Sequence, residues 1–300
     1  MEMRCVAAGI GFTEGPLWTA DGRLLVTSMS RGLLYAVDAD GGEAVAVAEP
    51  GGNPTGLAQD ADGVVWVAQG GGHAPTRSAR LARPSIQRWA DGCVEDVVAD
   101  GLAAPNDCAI GPDGRLWFTD PRGRAFDREG PPGRVCALDR ADGSVAVVAD
   151  GIRFPNGLAF AADGRALYVA ETGTARILRF ALSDGGALSA PEVLAELPDG
   201  RPDGMALDAT GRLHVAATTA DAVLVLDADG RLVERLPLGT GALPTNACFG
   251  GEDGSTLFVT AGKGGRVYAH SRATRGLPLL TGAGRPTRLE PSSTPTLKEE

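Results

Sequence analysis

The stretch Glu14–Ser28, EGPLWTADGRLLVTS, holds an acidic residue, an apolar run, an Asp-Gly turn and a second apolar run. The same order recurs as TGLAQDADGVVWVAQ from Thr55, NDCAIGPDGRLWFTD from Asn106 and NGLAFAADGRALYVAE from Asn156. DGMALDATGRLHVAA from Asp203 and TNACFGGEDGSTLFVTA from Thr245 complete the series, at spacings of 41, 51, 50, 47 and 42 residues. Each copy reads as a strand, a two-residue hairpin turn and a strand. Third and fourth strands follow in stretches such as GLLYAVDADGG and GEAVAVAE. Four strands per unit at this period make a β-propeller blade. The chain is therefore expected to be all-β: a six-bladed β-propeller with four-stranded blades.

Working outward, the chain has 300 residues, 43% of them hydrophobic and 22% charged, so most of it can bury a core. Its 43 glycines suit many tight turns between short strands. Residues 1–280 are expected to form one domain. Arg4–Ala8 is expected to pair as a strand of the last blade and close the ring, because an open propeller leaves two sheet edges unpaired. Leu277–Leu280 reads as a weak further stretch of that blade. The polar, proline-rich segment 281–300 is expected to be a disordered tail.

Lys and Arg total 28 against 38 Asp and Glu, a net charge of −10. That balance argues against a nucleic-acid groove or an anionic membrane face. No apolar run is long enough for a membrane helix, and the apolar start is too short for a signal peptide. Five scattered cysteines without a CxxC pair read as free thiols in a reduced cytoplasm. A monomer or small homo-oligomer acting on a small molecule is expected.

The first strand of each propeller blade lines the central channel, so residues at the start of each copy converge on its axis. They are Glu14, Thr55, Asn106, Asn156, Asp203 and Thr245, all with side-chain oxygen. Two carboxylates, two amides and two hydroxyls suit a hard divalent cation: Ca²⁺ first, with Mn²⁺, Mg²⁺ or Zn²⁺ as substitutes. A second set returns to the same mouth at Ser28, Gln69, Asp120 and Glu171, of which Asp120 and Glu171 are candidate substrate contacts. The long connections after Gln69 and Asp120 are basic and candidate lids. They bring His73 and four arginines, Arg77, Arg80, Arg122 and Arg124, that could meet an anionic substrate. No GxSxG nucleophile elbow is present.

EGPLW, PNDCAIGPDGRLWFTDP, FPNGLAF, RPDGMALDATGRLHVA and PTNACFGG resemble the SMP-30/gluconolactonase/luciferin-regenerating-enzyme-like family over about residues 10 to 270. The resemblance implies a propeller with one catalytic divalent cation on its axis and hydrolysis of a lactone. It implies metal ligands at Glu14, Asn156 and Asp203, a substrate contact at Asn106, and a general base at Asp203. Where sugar-lactonase members have Arg, two residues before Asn106, this chain has Ala104, which argues against a sugar-type substrate. Two other readings compete: a metal-dependent isomerisation or ring rearrangement, and a non-catalytic propeller scaffold.

Overall fold

The structure is a computed structural model that describes residues 3–72, 74–125 and 127–282. Its strands form six four-stranded antiparallel sheets arranged as blades around one axis. Helix among the described residues is limited to two 3₁₀ turns, Thr172–Thr174 and Thr218–Ala220. The inner strands are Thr13–Trp18, Pro54–Gln59, Cys108–Ile110, Pro155–Phe160, Pro202–Leu207 and Pro244–Gly250. All begin at one mouth of the channel.

The repeated turn dictates this geometry. In each copy the turn glycine takes a left-handed φ, between +68° and +83°. The turn is one residue longer than the sequence reading. Thr19 N–H donates to the Arg23 carbonyl at 2.9 Å, and Gly22 N–H donates to the Thr19 carbonyl at 3.0 Å. Ala20, Asp21 and Gly22 thus form a three-residue hairpin loop, with glycine as its left-handed residue. Carboxylates stiffen these turns: Asp60 Oδ1 accepts the N–H groups of Asp62 and Val64.

Blades pack face to face through large side chains. Trp18 of blade 1 stacks on Phe258 of blade 6 at 5.6 Å between ring centroids, and Trp117 meets Phe160 edge-on at 5.5 Å across blades 3 and 4. The buried Asp60 carboxylate joins two blades as well: it accepts from Trp66 Nε1 at 2.9 Å and from Arg140 Nη1 of blade 3 at 2.7 Å.

The sixth sheet takes its outermost strand from the start of the chain. Arg4–Ala7 pairs antiparallel with Arg266–Ser271, burying Val6 and Ala7 between blades 6 and 1. The segment after that sheet is no blade strand. It crosses the far mouth of the channel: the Arg275 carbonyl accepts from Ala209 N–H, Leu277 N–H donates to Leu207, and the Thr281 carbonyl accepts from Ala61 N–H, each at 2.9 Å. It thus runs from blade 5 to blade 2. The expected tail, from residue 283 on, lies outside the described residues.

Deleting residues 1–8 removes the sixth blade's edge strand and exposes Val6 and Ala7. The melting temperature is expected to fall by on the order of 5 °C, followed by differential scanning calorimetry. An unchanged melting temperature would show that the ring does not need this strand.

Candidate metal centre

The start of each inner strand is irregular. In blades 1, 2, 4, 5 and 6 the pairing register slips there, between Glu14 and Leu17, Pro54 and Leu57, Pro155 and Leu158, Pro202 and Met205, and Pro244 and Asn246. In blade 3 the strand begins only at Cys108, after Asn106 and Asp107. Such bulges re-aim side chains, and proline before five of the six start residues removes an N–H that a regular ladder would use.

The side chains re-aimed this way form a buried acidic cluster. Glu14, Asp107 and Asp203 lie close enough to act on one another electrostatically. Burial first, then the charges of Asp203 and Asp107, push Glu14 well above the usual carboxylate range. Burial and then Asp107 do the same to Asp203, against a hydrogen bond from the Asn156 side chain. Asp107 is pushed up to about 7 by burial, opposed by hydrogen bonds from the Cys108 and Leu158 N–H groups and from Asn246. Asn246 Nδ2 reaches Asp107 Oδ2 at 3.4 Å across the channel. No Arg or Lys charge offsets these three carboxylates among the described residues.

Glu14, Asn156 and Asp203, expected from their phase in the repeat, do converge. Asp107 and Asn246 escaped the sequence reading, although a signal was present. One residue after the ring position, four copies have glycine (Gly15, Gly56, Gly157, Gly204) and two have Asp107 and Asn246. The glycines make the room. A Cβ on Gly56 would fall 2.3 Å from Asp107 Oδ1, and one on Gly204 would fall 1.9 Å from the Asn246 amide.

Other ring members turn away. Thr55 Oγ1 donates to the Ala68 and Pro105 carbonyls at 3.1 and 3.3 Å, and Thr245 Oγ1 donates to the Thr13 carbonyl at 2.8 Å. Asn106 is half-buried at the mouth, and its carbonyl accepts from Gly56 N–H at 2.8 Å. Asp120 and Glu171, expected at the substrate, are committed to the scaffold. Asp120 is fully buried, accepts from Ala103 and Ala104 N–H at 2.9 and 2.8 Å, and holds Arg134 through two bonds of 2.9 and 2.8 Å. Glu171 accepts from Arg153 N–H at 2.8 Å and from the Thr174 hydroxyl. Of the loop arginines, Arg80 is bound to the Glu49 carbonyl at 2.7 Å, whereas Arg122 and Arg124 are exposed. Asn53 pins the loop after Gln69 over the mouth, donating to the Met29 carbonyl and accepting from Ala74 N–H. His73, the lid candidate, lies outside the described residues.

Below the acidic cluster the channel widens into an apolar cavity of about 310 Å³. Leu17, Leu57, Leu158 and Met205 line it, Asp107 and Asn246 stand at its polar end, and Leu277–Leu280 close it. The carboxylates therefore face hydrocarbon on that side, and this desolvation raises their pKa values.

A divalent cation suits this arrangement. Glu14 and Asp107 are buried and Asp203 half-buried; the three carboxylates repel one another and lack counter-charge, and amide oxygens stand beside them: hard donors in a charge-starved site. Among the described residues no three His, Cys, Asp or Glu side chains form a metal cluster by themselves, so an axial site needs the amide oxygen of Asn156 as well. Glu14, Asn156 and Asp203 are the residues that would hold the ion.

A six-bladed propeller with an oxygen-donor cluster at one channel mouth defines a class of axial-site propellers. Within it, the chain belongs to the SMP-30/gluconolactonase/LRE-like family, whose model matches residues 12–263. It is 26% identical over 296 residues to a gluconolactonase of Zymomonas mobilis, covering 85% of this chain and 78% of that one. It is 32% identical over 154 residues to the pentonolactonase XacC of Haloferax volcanii, a match spanning 49% of this chain and about half, 52%, of the relative. A solved gluconolactonase from Xanthomonas campestris superposes with a TM-score of 0.73 at 29% identity, covering 88% of this chain and 87% of that one. No helix among the described residues is long and apolar enough to cross a membrane.

A raised carboxylate pKa means that the folded state keeps a proton that the unfolded state releases. The stability so gained is complete below the ordinary carboxylate value and is lost as pH rises through the folded value, about 7 for Asp107. Chelator-treated protein is therefore expected to melt at lower temperature at about pH 8 than at about pH 5.5, which lie on either side of the folded value. Asp107→Asn should flatten the dependence, and a divalent cation should restore stability at the higher pH. Melting curves that rise with pH across that window would contradict the cluster's electrostatics.

Proposed function

We propose that the protein is a divalent-metal-dependent lactonase. The observation that carries this reading is the uncompensated carboxylate cluster of Glu14 and Asp203 at the open mouth and Asp107 just below it. The family and the lactonases similar to this chain support it. A bound Ca²⁺, or Mn²⁺, Mg²⁺ or Zn²⁺ in its place, would polarise the lactone carbonyl and make a nearby water more acidic.

The chain's own residues do the rest. Asn106, half-buried at the mouth, presents its amide to the lactone oxygens. Asp203 takes the proton of the attacking water. Burial and Asp107 raise its basicity, and a cation beside it lowers that basicity again, leaving it between the two limits. Asp107 and Asn246, bonded to each other, stand between the reacting groups and the apolar cavity. Cation binding requires ionised carboxylates, so it should release protons and weaken as pH falls.

A panel of lactones, assayed by acid release after chelation and after addition of Ca²⁺, Mn²⁺ or Zn²⁺, tests the activity. Absence of metal-dependent turnover on every lactone would refute it. Asp203→Asn is expected to lose about 10²-fold or more of kcat even at saturating metal. Glu14→Gln should be partly rescued by excess metal, since this residue moves no proton. Full rescue of Asp203→Asn by metal would make that residue a ligand only and place the base elsewhere.

A further inference from the structure

Charge is unevenly spread over the ring, with acids and arginines on both faces. Turns on the far face are crowded with acids, among them Asp38, Asp40, Glu43, Asp62, Glu252 and Asp253. On the mouth face the 71–83 connection carries three arginines, Arg77, Arg80 and Arg83, and no acid, although the chain as a whole has a net charge of −10. The polarity favours approach of an anion to the site.

Three more arginines gather on the rim over blades 3 to 5. Arg153 lies three residues before Asn156, and Arg201 lies two before Asp203. They meet at Gly173 from its two sides. Gly173 N–H donates to the Arg153 carbonyl at 2.9 Å, while Arg201 Nη1 donates to the Gly173 and Thr172 carbonyls at 2.6 and 3.0 Å. The Arg153 guanidinium donates through Nη1 to the Gly130 carbonyl, which ties the connection containing Arg128 to the same place. Burial, and then the charge of Arg128, lower the pKa of Arg201.

Arg4, Arg31 and Arg80 aside, which donate to backbone carbonyls, several arginines elsewhere are matched to carboxylates: Arg134 to Asp120 at 2.8 Å, Arg140 to Asp60 at 2.7 Å, and Arg272 to Glu234. Arg153 and Arg201 rest on neutral carbonyls instead. A guanidinium has five N–H donors in a planar fork, and these contacts use only Nη1 of each. Like charges held together in this way are relieved by an anion that accepts from the remaining donors.

We propose that Arg128, Arg153 and Arg201 form an anion-recognition arc on the rim of the site. The substrate is then a lactone that carries a second, non-reacting anionic group: a carboxylate, sulfonate or phosphate. The word lactone here rests on the function proposed above; the arc does not. With Ala104 in place of a guanidinium beside Asn106, the positive charge that meets the substrate lies on the blade 3 to 5 side of the mouth.

The test gives the cation-loaded enzyme pairs of lactones of equal ring size, one neutral and one bearing a carboxylate, a sulfonate or a phosphate. Sodium sulfate is titrated as competitor against sodium chloride at matched ionic strength. The charged member should be preferred by about tenfold or more in kcat/KM, mostly through KM, and sulfate should compete where chloride does not. The arms with different anionic groups tell which one the arc takes. Arg201→Gln should bring the preference towards parity. Because that guanidinium also staples blade 4 to blade 5, Arg128→Gln, on an exposed side chain, repeats the test without that burden. A preference for the neutral lactone, or a ratio unmoved in the Arg128 variant, overturns the arc. If no lactone at all is turned over, the lactonase reading falls separately, and calorimetric sulfate binding decides the arc. A Kd below roughly 1 mM that weakens about threefold or more in Arg128→Gln supports it, and equal or undetectable binding in both proteins overturns it.

Discussion

Six inner strands share one axis, and at each level the axis has space for few side chains. That steric limit organises the site. At the level just below the mouth, Asp107 and Asn246 occupy the space and meet at 3.4 Å, while Gly15, Gly56, Gly157 and Gly204 take the other four places. A Cβ on Gly15 would strike the Thr55 carbonyl oxygen at 2.0 Å, and one on Gly157 would lie 2.5 Å from that of Asp203. These glycines let neighbouring backbones close on one another. The polar pair they admit separates a polar mouth from an apolar cavity, so the mouth carboxylates are desolvated from beneath. Their pKa values follow from that placement and from their mutual repulsion.

The same crowding explains why the bulges recur at one level. A regular strand would carry its alternation unbroken to the mouth. The register slips break it, turning Thr55 and Thr245 onto backbone carbonyls and Glu14, Asn156 and Asp203 towards each other. Phe154, just before the bulge of blade 4, has a φ of +54°, a left-handed conformation that is costly for an aromatic residue. Its carbonyl accepts from Thr172 N–H at 3.1 Å, one residue beyond Glu171. Thus Glu171 and its neighbours hold the backbone that presents Asn156, a positioning role in place of a substrate contact.

The period of the Asp-Gly turns made the blade count legible, because each turn requires the same left-handed glycine and each blade repeats it. Equal phase likewise brought out the six start residues, Glu14, Thr55, Asn106, Asn156, Asp203 and Thr245, and the family resemblance singled out Glu14, Asn156 and Asp203 among them. Phase could not tell where a side chain points. Asp120 has the right position to face substrate, but Arg134, fourteen residues on, captures it beneath two backbone N–H groups. Asp107 was hidden for the opposite reason: its position belongs mostly to glycine, and only the packing of adjacent blades shows that the glycines accommodate it. The crossing segment Arg275–Gly282 has no counterpart in the repeat, so no periodic argument finds it; its course is written in single backbone bonds to Ala61, Leu207 and Ala209.

That segment crosses the far mouth of the channel. The far cavity is closed by Leu277–Leu280 and lined by aliphatic side chains, the thiols of Cys108 and Cys248, and few polar groups beyond Asp107 and Asn246. Burial pushes the Cys248 thiol up to about 12 and raises that of Cys108 well above the usual thiol range, with the Asp107 charge adding to the effect, so neither offers a thiolate near neutral pH. Apart from Asp107 at its polar end, the cavity lacks groups that move protons or hold charge near neutral pH. Those groups stand at the mouth, above the Asp107–Asn246 pair, next to loops that bring guanidinium groups to the rim. A hydrocarbon floor and a charged rim act on the same carboxylates in opposite senses. The floor makes ionisation of the carboxylates costly; the rim adds positive charge, which under the proposed reading would draw an anion towards the mouth. The charged groups that line the channel are thereby gathered towards one face.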